Sequence, residues 1–226
     1  MSSKIMSTTK VFSILVILTG AISFALASDP EPLQDLCVAL PSSGVKVNGF
    51  ACKAESNVTE SDFFFSGIAK PGVINNTVGS QVTTANVEKI PGLNTLGVSL
   101  ARIDYKPGGL NPPHTHPRAT EVVFVLDGEL DVAFITTSNK LISKKIKKGE
   151  VFVFPIGLVH YQKNNGDKLA SVISAFNSQL PGTLSIAASL FSSKPAVPDG
   201  VLAKAFQIDA SEVGAIKTKF AAPKKD

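Results

Sequence analysis

The chain reads as an all-β protein, an antiparallel sandwich or barrel, closed at its C-terminal end by short helices. Two patterns predict this. From about residue 63 to residue 191, short runs rich in β-branched and aromatic residues alternate with turn-forming clusters, and no helical period intervenes. After Phe191 the pattern changes: Pro195 and Pro198 break the chain, and apolar residues then recur at helical spacing. The 226 residues suit one domain of ordinary size, and 44% apolar against 18% charged residues is a globular composition.

Residues 1–27 read as a secretory signal. Lys4 and Lys10 precede the uncharged run from Val11 to Ala27, and Ala25-Leu26-Ala27 supplies a small-x-small cleavage site. A membrane anchor is the alternative, but the run is short against the ~20 apolar residues a spanning helix needs. Removing it lowers the formal charge from +4 to +2, because 20 basic and 18 acidic residues remain. So small an excess, without a basic cluster interleaved with aromatics, excludes a dedicated nucleic-acid binder.

Residues 28–62 form an N-terminal extension that holds both cysteines, Cys37 and Cys52. Outside the cell they are expected to be bridged, with a loop-closure contribution of about 3 kcal/mol in the chain-entropy model. The sequons Asn57-Val58-Thr59 and Asn75-Asn76-Thr77 fit the same compartment, which makes Asn57 and Asn75 candidate glycosylation sites.

In the barrel region, residues 63–191, the predicted strands are Leu96–Ile103, Val122–Leu126, Leu130–Thr136, Leu141–Ile146, Val151–Phe154, Leu158–Gln162 and Ser171–Phe176. Turns are marked by Lys106-Pro107-Gly108-Gly109, Asp127-Gly128, Lys148-Gly149-Glu150 and Asn164-Asn165-Gly166-Asp167. In residues 192–226, Val201, Leu202, Ala205 and Phe206 fit one short amphipathic helix. Val213, Ile216 and Phe220 fit a second, with Ser211 as its N-cap. Short helices of this kind are marginal alone and need a surface to pack on, their own barrel or a neighbouring subunit.

All three histidines of the chain fall in two motifs of this region. His114 and His116 lie two apart, so on a strand both rings leave the same face. Pro117 forces a turn, after which Glu121 heads the strand that follows. The connection Pro155-Ile156-Gly157 aims His160 back at the same interior. Three imidazoles and a carboxylate without a thiolate suit manganese, iron, zinc, copper or nickel. A tetrahedral structural zinc site would be closed by these four ligands. An octahedral ion would keep two positions open for water, an oxygen species or a small acid.

Gly108, five residues, His114-Thr115-His116, four residues, Glu121, six residues and Gly128 resemble the first cupin motif. Gly149, five residues, Pro155-Ile156-Gly157, two residues, His160, three residues and Asn164 resemble the second. Ser28-Asp29-Pro30, Leu33-Gln34-Asp35, Phe63-Phe64-Phe65-Ser66-Gly67, Asn111-Pro112-Pro113-His114 and Ser174-Ala175-Phe176-Asn177-Ser178-Gln179 are similar to plant germin-like proteins. The resemblance implies a cupin β-jellyroll with C-terminal α-helices, assembled as a hexamer, a trimer of dimers. It implies manganese held by His114, His116, Glu121 and His160, a Cys37–Cys52 disulfide, and a place in the plant apoplast or cell wall with a role in defence.

It also divides the possible activities. Some relatives oxidise oxalate with dioxygen, others dismutate superoxide, and others are binding, storage or receptor-type wall proteins. Of two asparagines that hold oxalate in true germins, one matches Asn111, and the position of the other is Ala101. Alanine cannot hydrogen-bond a carboxylate, so the resemblance favours superoxide chemistry over oxalate oxidation, with Asn111 orienting a water or substrate beside the ion.

Overall fold

The computed structural model describes residues 34–46 and 48–221, so the predicted signal segment lies outside the described residues. Ten strands form two antiparallel sheets. They are β1 (Ser80–Ala85), β2 (Ser99–Tyr105), β3 (Leu110–Thr115), β4 (Glu121–Asp127), β5 (Glu129–Ile135), β6 (Leu141–Lys147), β7 (Val151–Phe154), β8 (His160–Lys163), β9 (Ala170–Phe176) and β10 (Leu184–Ser185). One sheet has the order β1-β2-β9-β4-β7 and the other β10-β3-β8-β5-β6. The interior between them is filled from both sides. Ile103, Tyr105, Val123, Val125 and Val172 from the first sheet meet Leu130, Val132 and Ile146 from the second.

Alternation explains the packing. In β4, Glu121, Val123 and Val125 are buried, while Val122 and Phe124 face outward. Gly128 makes the β4–β5 turn at φ 78°, and a Cβ there would lie 2.8 Å from the Leu169 carbonyl oxygen. In β3, Pro112 and Pro113 are tolerated because the register with β8 shifts between Asn111 and His114.

Three local features differ from the sequence reading. Ser80–Ala85 is a strand, although its mixed polar composition gave no clear apolar alternation. Ile186–Phe191, at the end of the region read as strands, is a helix, α1. A short apolar run fits either state, so periodicity does not separate them. The other helices are α2 (Asp199–Phe206) and α3 (Ala210–Phe220). The N-cap of α3 is Asp209, and Ser211 lies one residue inside the helix. Asp209 and Glu212 close a reciprocal capping box, and a carboxylate also suits the positive end of the helix.

The helices pack on one another through Phe191, Leu202 and Val213, a cluster separate from the barrel core. At the other end of the chain, Cys37 and Cys52 are disulfide-bonded. Buried Asn94 ties this extension to the barrel: its amide bonds both the N–H and the carbonyl of Phe50, and its oxygen accepts from Gln179. No described helix is long and apolar enough to cross a membrane.

Candidate metal centre

The four residues singled out by spacing converge. His114 is the last residue but one of β3, His116 lies just past the end of that strand, Glu121 opens β4 and His160 opens β8. All four are buried, and one ligand atom from each lies within 4.8 Å of all the others. His114 and His160 are direct cross-strand partners, with ring centroids 4.2 Å apart. Phe154 stacks on His160 at 4.4 Å, and Phe176 meets His116 edge-on at 4.8 Å, so apolar rings fix the imidazole planes.

The hydrogen bonds select the tautomer. Nδ1 of His114 bonds the Pro112 carbonyl at 2.7 Å, Nδ1 of His160 the Leu158 carbonyl at 2.8 Å, and Nδ1 of His116 the Gly182 carbonyl at 2.5 Å. A carbonyl only accepts, so each Nδ1 carries the proton and each Nε2 is left to act as a ligand. Glu121 Oε2 lies 3.1 Å from both His116 Nε2 and His160 Nε2. A carboxylate oxygen facing two imidazole lone pairs at this distance is favourable only with positive charge between them. The donor set therefore fits a divalent metal ion held by three Nε2 atoms and one carboxylate.

The electrostatics agree. Burial, with the neighbouring His160 second, lowers the His114 imidazole from its usual 6.5 to about 4, which keeps it neutral and able to ligate. Burial works against ionisation of Glu121, but the His116 and His160 rings that face its Oε2 outweigh it and hold the carboxyl well below the usual carboxylate range.

Two residues that sequence reasoning missed set the orientation of Glu121. Ser174 Oγ donates to its Oε1 at 2.6 Å and Gln162 Nε2 donates to the same atom at 3.1 Å, which leaves Oε2 for the ion. Gln162 lies two residues after His160, on the same face of β8, and that parity was the available signal. Its own oxygen accepts from Asn111 Nδ2 at 2.7 Å and from the Tyr105 hydroxyl at 3.4 Å. Burial, with the charge of Glu121 second, pushes the Tyr105 phenol well above its usual value, so it remains a donor. Asn111 is thus a link in the network behind Glu121. Ala101 is buried with Ala119 and Phe176, which gives the site an apolar wall. Asn57 and Asn75 are both exposed and lie outside the cluster.

Comparison with known proteins agrees with this geometry. Residues 66–214 match the family described as Cupin. Germin-like protein subfamily 2 member 4 of Arabidopsis thaliana is 75% identical over 201 residues, 88% of this chain and 91% of that protein. The rhicadhesin receptor of Pisum sativum is 68% identical over 195 residues, 86% of this chain and 89% of that protein. Among solved structures, an oxalate oxidase in complex with the substrate analogue glycolate superposes with a TM-score of 0.84 at 45% identity, covering 87% of this chain and 100% of that one. The chain belongs to the cupin family, among the germin-like proteins of plants.

Proposed function

We propose that this is a secreted, manganese-binding germin-like protein of the plant apoplast that dismutates superoxide, in a stress or defence setting. The observation that carries the reading is the pairing of a complete buried cage of three imidazoles and one carboxylate with an apolar wall at Ala101. His114, His116, Glu121 and His160 would hold the ion, leaving coordination positions for a small anion. The redox change that dismutation requires, one superoxide oxidised to dioxygen and the next reduced to hydrogen peroxide with two protons, would be supplied by bound manganese. Ser174 and Gln162 keep the Glu121 carboxylate aimed at the cage. Ala101, with Ala119 and Phe176, offers no donor to the far carboxylate of a dicarboxylic acid, so oxalate is disfavoured there.

The test pairs metal analysis with two assays on the purified protein. We expect about one manganese per chain, superoxide turnover that chelation abolishes, and no peroxide from oxalate. Full manganese loading without superoxide turnover would remove the dismutase reading, and peroxide formed from oxalate would replace it with an oxidase.

A second reading, a wall-associated receptor-type protein with a structural metal, is favoured by the 68% identity to the rhicadhesin receptor. Under it, zinc-loaded protein retains its binding role, whereas a zinc-loaded dismutase is dead. Self-association, as a hexamer built from dimers, belongs to the same proposal. It is supported by the outer face of the first sheet, where Val122 pairs with Val153 and Phe124 with Val151, all exposed, and exposed Leu100 lies on the same face beyond β9. Light scattering of the purified protein tests it.

A further inference from the structure

We propose that Arg118 and Gly182 are positioning residues of the metal centre, a strap that fixes the ring of His116. The inference rests on the metal-binding reading of the cage and adds two residues to it. The three histidines are not anchored alike. His114 and His160 each donate to a carbonyl two residues earlier, Pro112 and Leu158, so their own turns orient them. His116 has no such local acceptor. Its Nδ1 proton goes to Gly182, 66 residues further along the chain, so beyond the edge-on contact with Phe176 its orientation depends on the placement of that carbonyl.

Arg118, two residues after His116, secures the segment that carries Gly182. Its Nε donates to the Leu180 carbonyl at 2.8 Å and its backbone N–H to the Pro181 carbonyl at 3.3 Å. Its guanidinium then lies against Gly182 itself: a Cβ placed there would sit 2.6 Å from Nη2 and 3.1 Å from Cζ. Gly182 has φ +68°, a conformation that side-chain-bearing residues rarely adopt. On its far side the segment is held by β10, where Leu184 pairs with Thr115 and Ser185 with His114. Residues 114–118 therefore grip both sides of the one glycine whose carbonyl sets their own metal ligand. A flat guanidinium that bonds one carbonyl and packs against the next residue is a geometry lysine does not reproduce.

The bland alternative is that Arg118 only ties down a surface loop. The two are separated by measurements on the full mature chain carrying Arg118→Gln, Arg118→Lys or Gly182→Ala. In the metal-free protein at neutral pH, proton–nitrogen NMR of the three imidazoles reads each Nδ1–H and its hydrogen bond directly. We expect His116 alone to lose its hydrogen-bonded Nδ1–H signal in Arg118→Gln, with His114 and His160 unchanged. Manganese affinity, measured by chelator competition, should fall about 10–100-fold, as for removal of other groups that orient a metal-ligating histidine. The manganese EPR spectrum should broaden, and Arg118→Lys should recover only part of the loss.

An Arg118→Gln protein with an unchanged His116 Nδ1–H signal and affinity within about twofold of wild type would overturn the strap. Gly182→Ala is the more severe change, and if it fails to fold, Arg118→Gln still decides. A wild-type chain that takes up no metal would end the metal reading, while the NMR measurement of the Nδ1–H bond, made without metal, would still judge the strap.

Discussion

The inward positions of the barrel change character along each strand. On β4 they run Glu121, Val123, Val125, and on β9 they run Ser174, Val172, Ala170, all buried. Towards one end branched aliphatics fill the space with Leu130, Val132 and Ile146, and at the other, buried polar groups bond one another around the cage. The apolar end is tolerant in kind: any side chains of suitable volume would fill it. The polar end is not, because each member is the partner another needs, and among the described residues no buried side-chain nitrogen or oxygen lacks one. One region supplies stability and the other spends its packing on chemistry.

Breaking the polar end at a ligand should have the largest effect. His160→Ala or Glu121→Ala is expected to abolish metal uptake and superoxide turnover together, as read by metal analysis and assay, because each removes a ligand and leaves buried partners unpaired. At the apolar end, Leu130→Ala should cost about 2–5 kcal/mol in denaturant unfolding while the folded fraction keeps its metal. A Leu130→Ala protein that lost metal at unchanged stability would dissolve the distinction between the two ends.

Acid sharpens it further. In the metal-free protein His114 binds its proton at about 4, against 6.5 when unfolded, so between these values the unfolded chain holds more protons. Stability should then fall as pH drops through that window, by up to about 3 kcal/mol, in thermal melts of the chelated protein. Glu121, whose carboxyl is held low in the folded state, contributes stability above the usual carboxylate value that is lost as pH falls further. Ser174→Ala leaves Gln162 as the remaining donor to Glu121 Oε1, and should weaken metal binding about 10–100-fold with little change in folding. The smallest effect belongs to neither end. Asp209→Ala removes the α3 cap, which should cost about 1 kcal/mol and leave metal content untouched.

Much of this difference could be read in the sequence, and what could not has a common cause. The four ligands were legible because histidine is rare in this chain and the spacing of all four is local within two motifs. The strands carrying the apolar end were legible because alternation is a short-range signal. Ser174 and Gly182 were not. They reach their partners across 53 and 66 residues, and a serine or a glycine carbonyl announces no chemistry. Gln162 was within reach of a parity argument, since it shares a face with His160. The helix Ile186–Phe191 and the cap at Asp209 were decided by tertiary packing and by a reciprocal side-chain bond, which propensity alone ranks poorly.

The anchoring of the three imidazoles to main-chain carbonyls has a consequence for how this scaffold can diversify. A carbonyl is present whatever side chain its residue bears, so drift at Pro112 or Leu158 need not remove the acceptor that orients a ligand. The apolar wall at Ala101 is made by side chains instead, so a substitution there changes the surface that the site presents. Selection can therefore rewrite what the site accepts without first rebuilding what holds the ion, and one architecture can host several reactions as neighbours in sequence space.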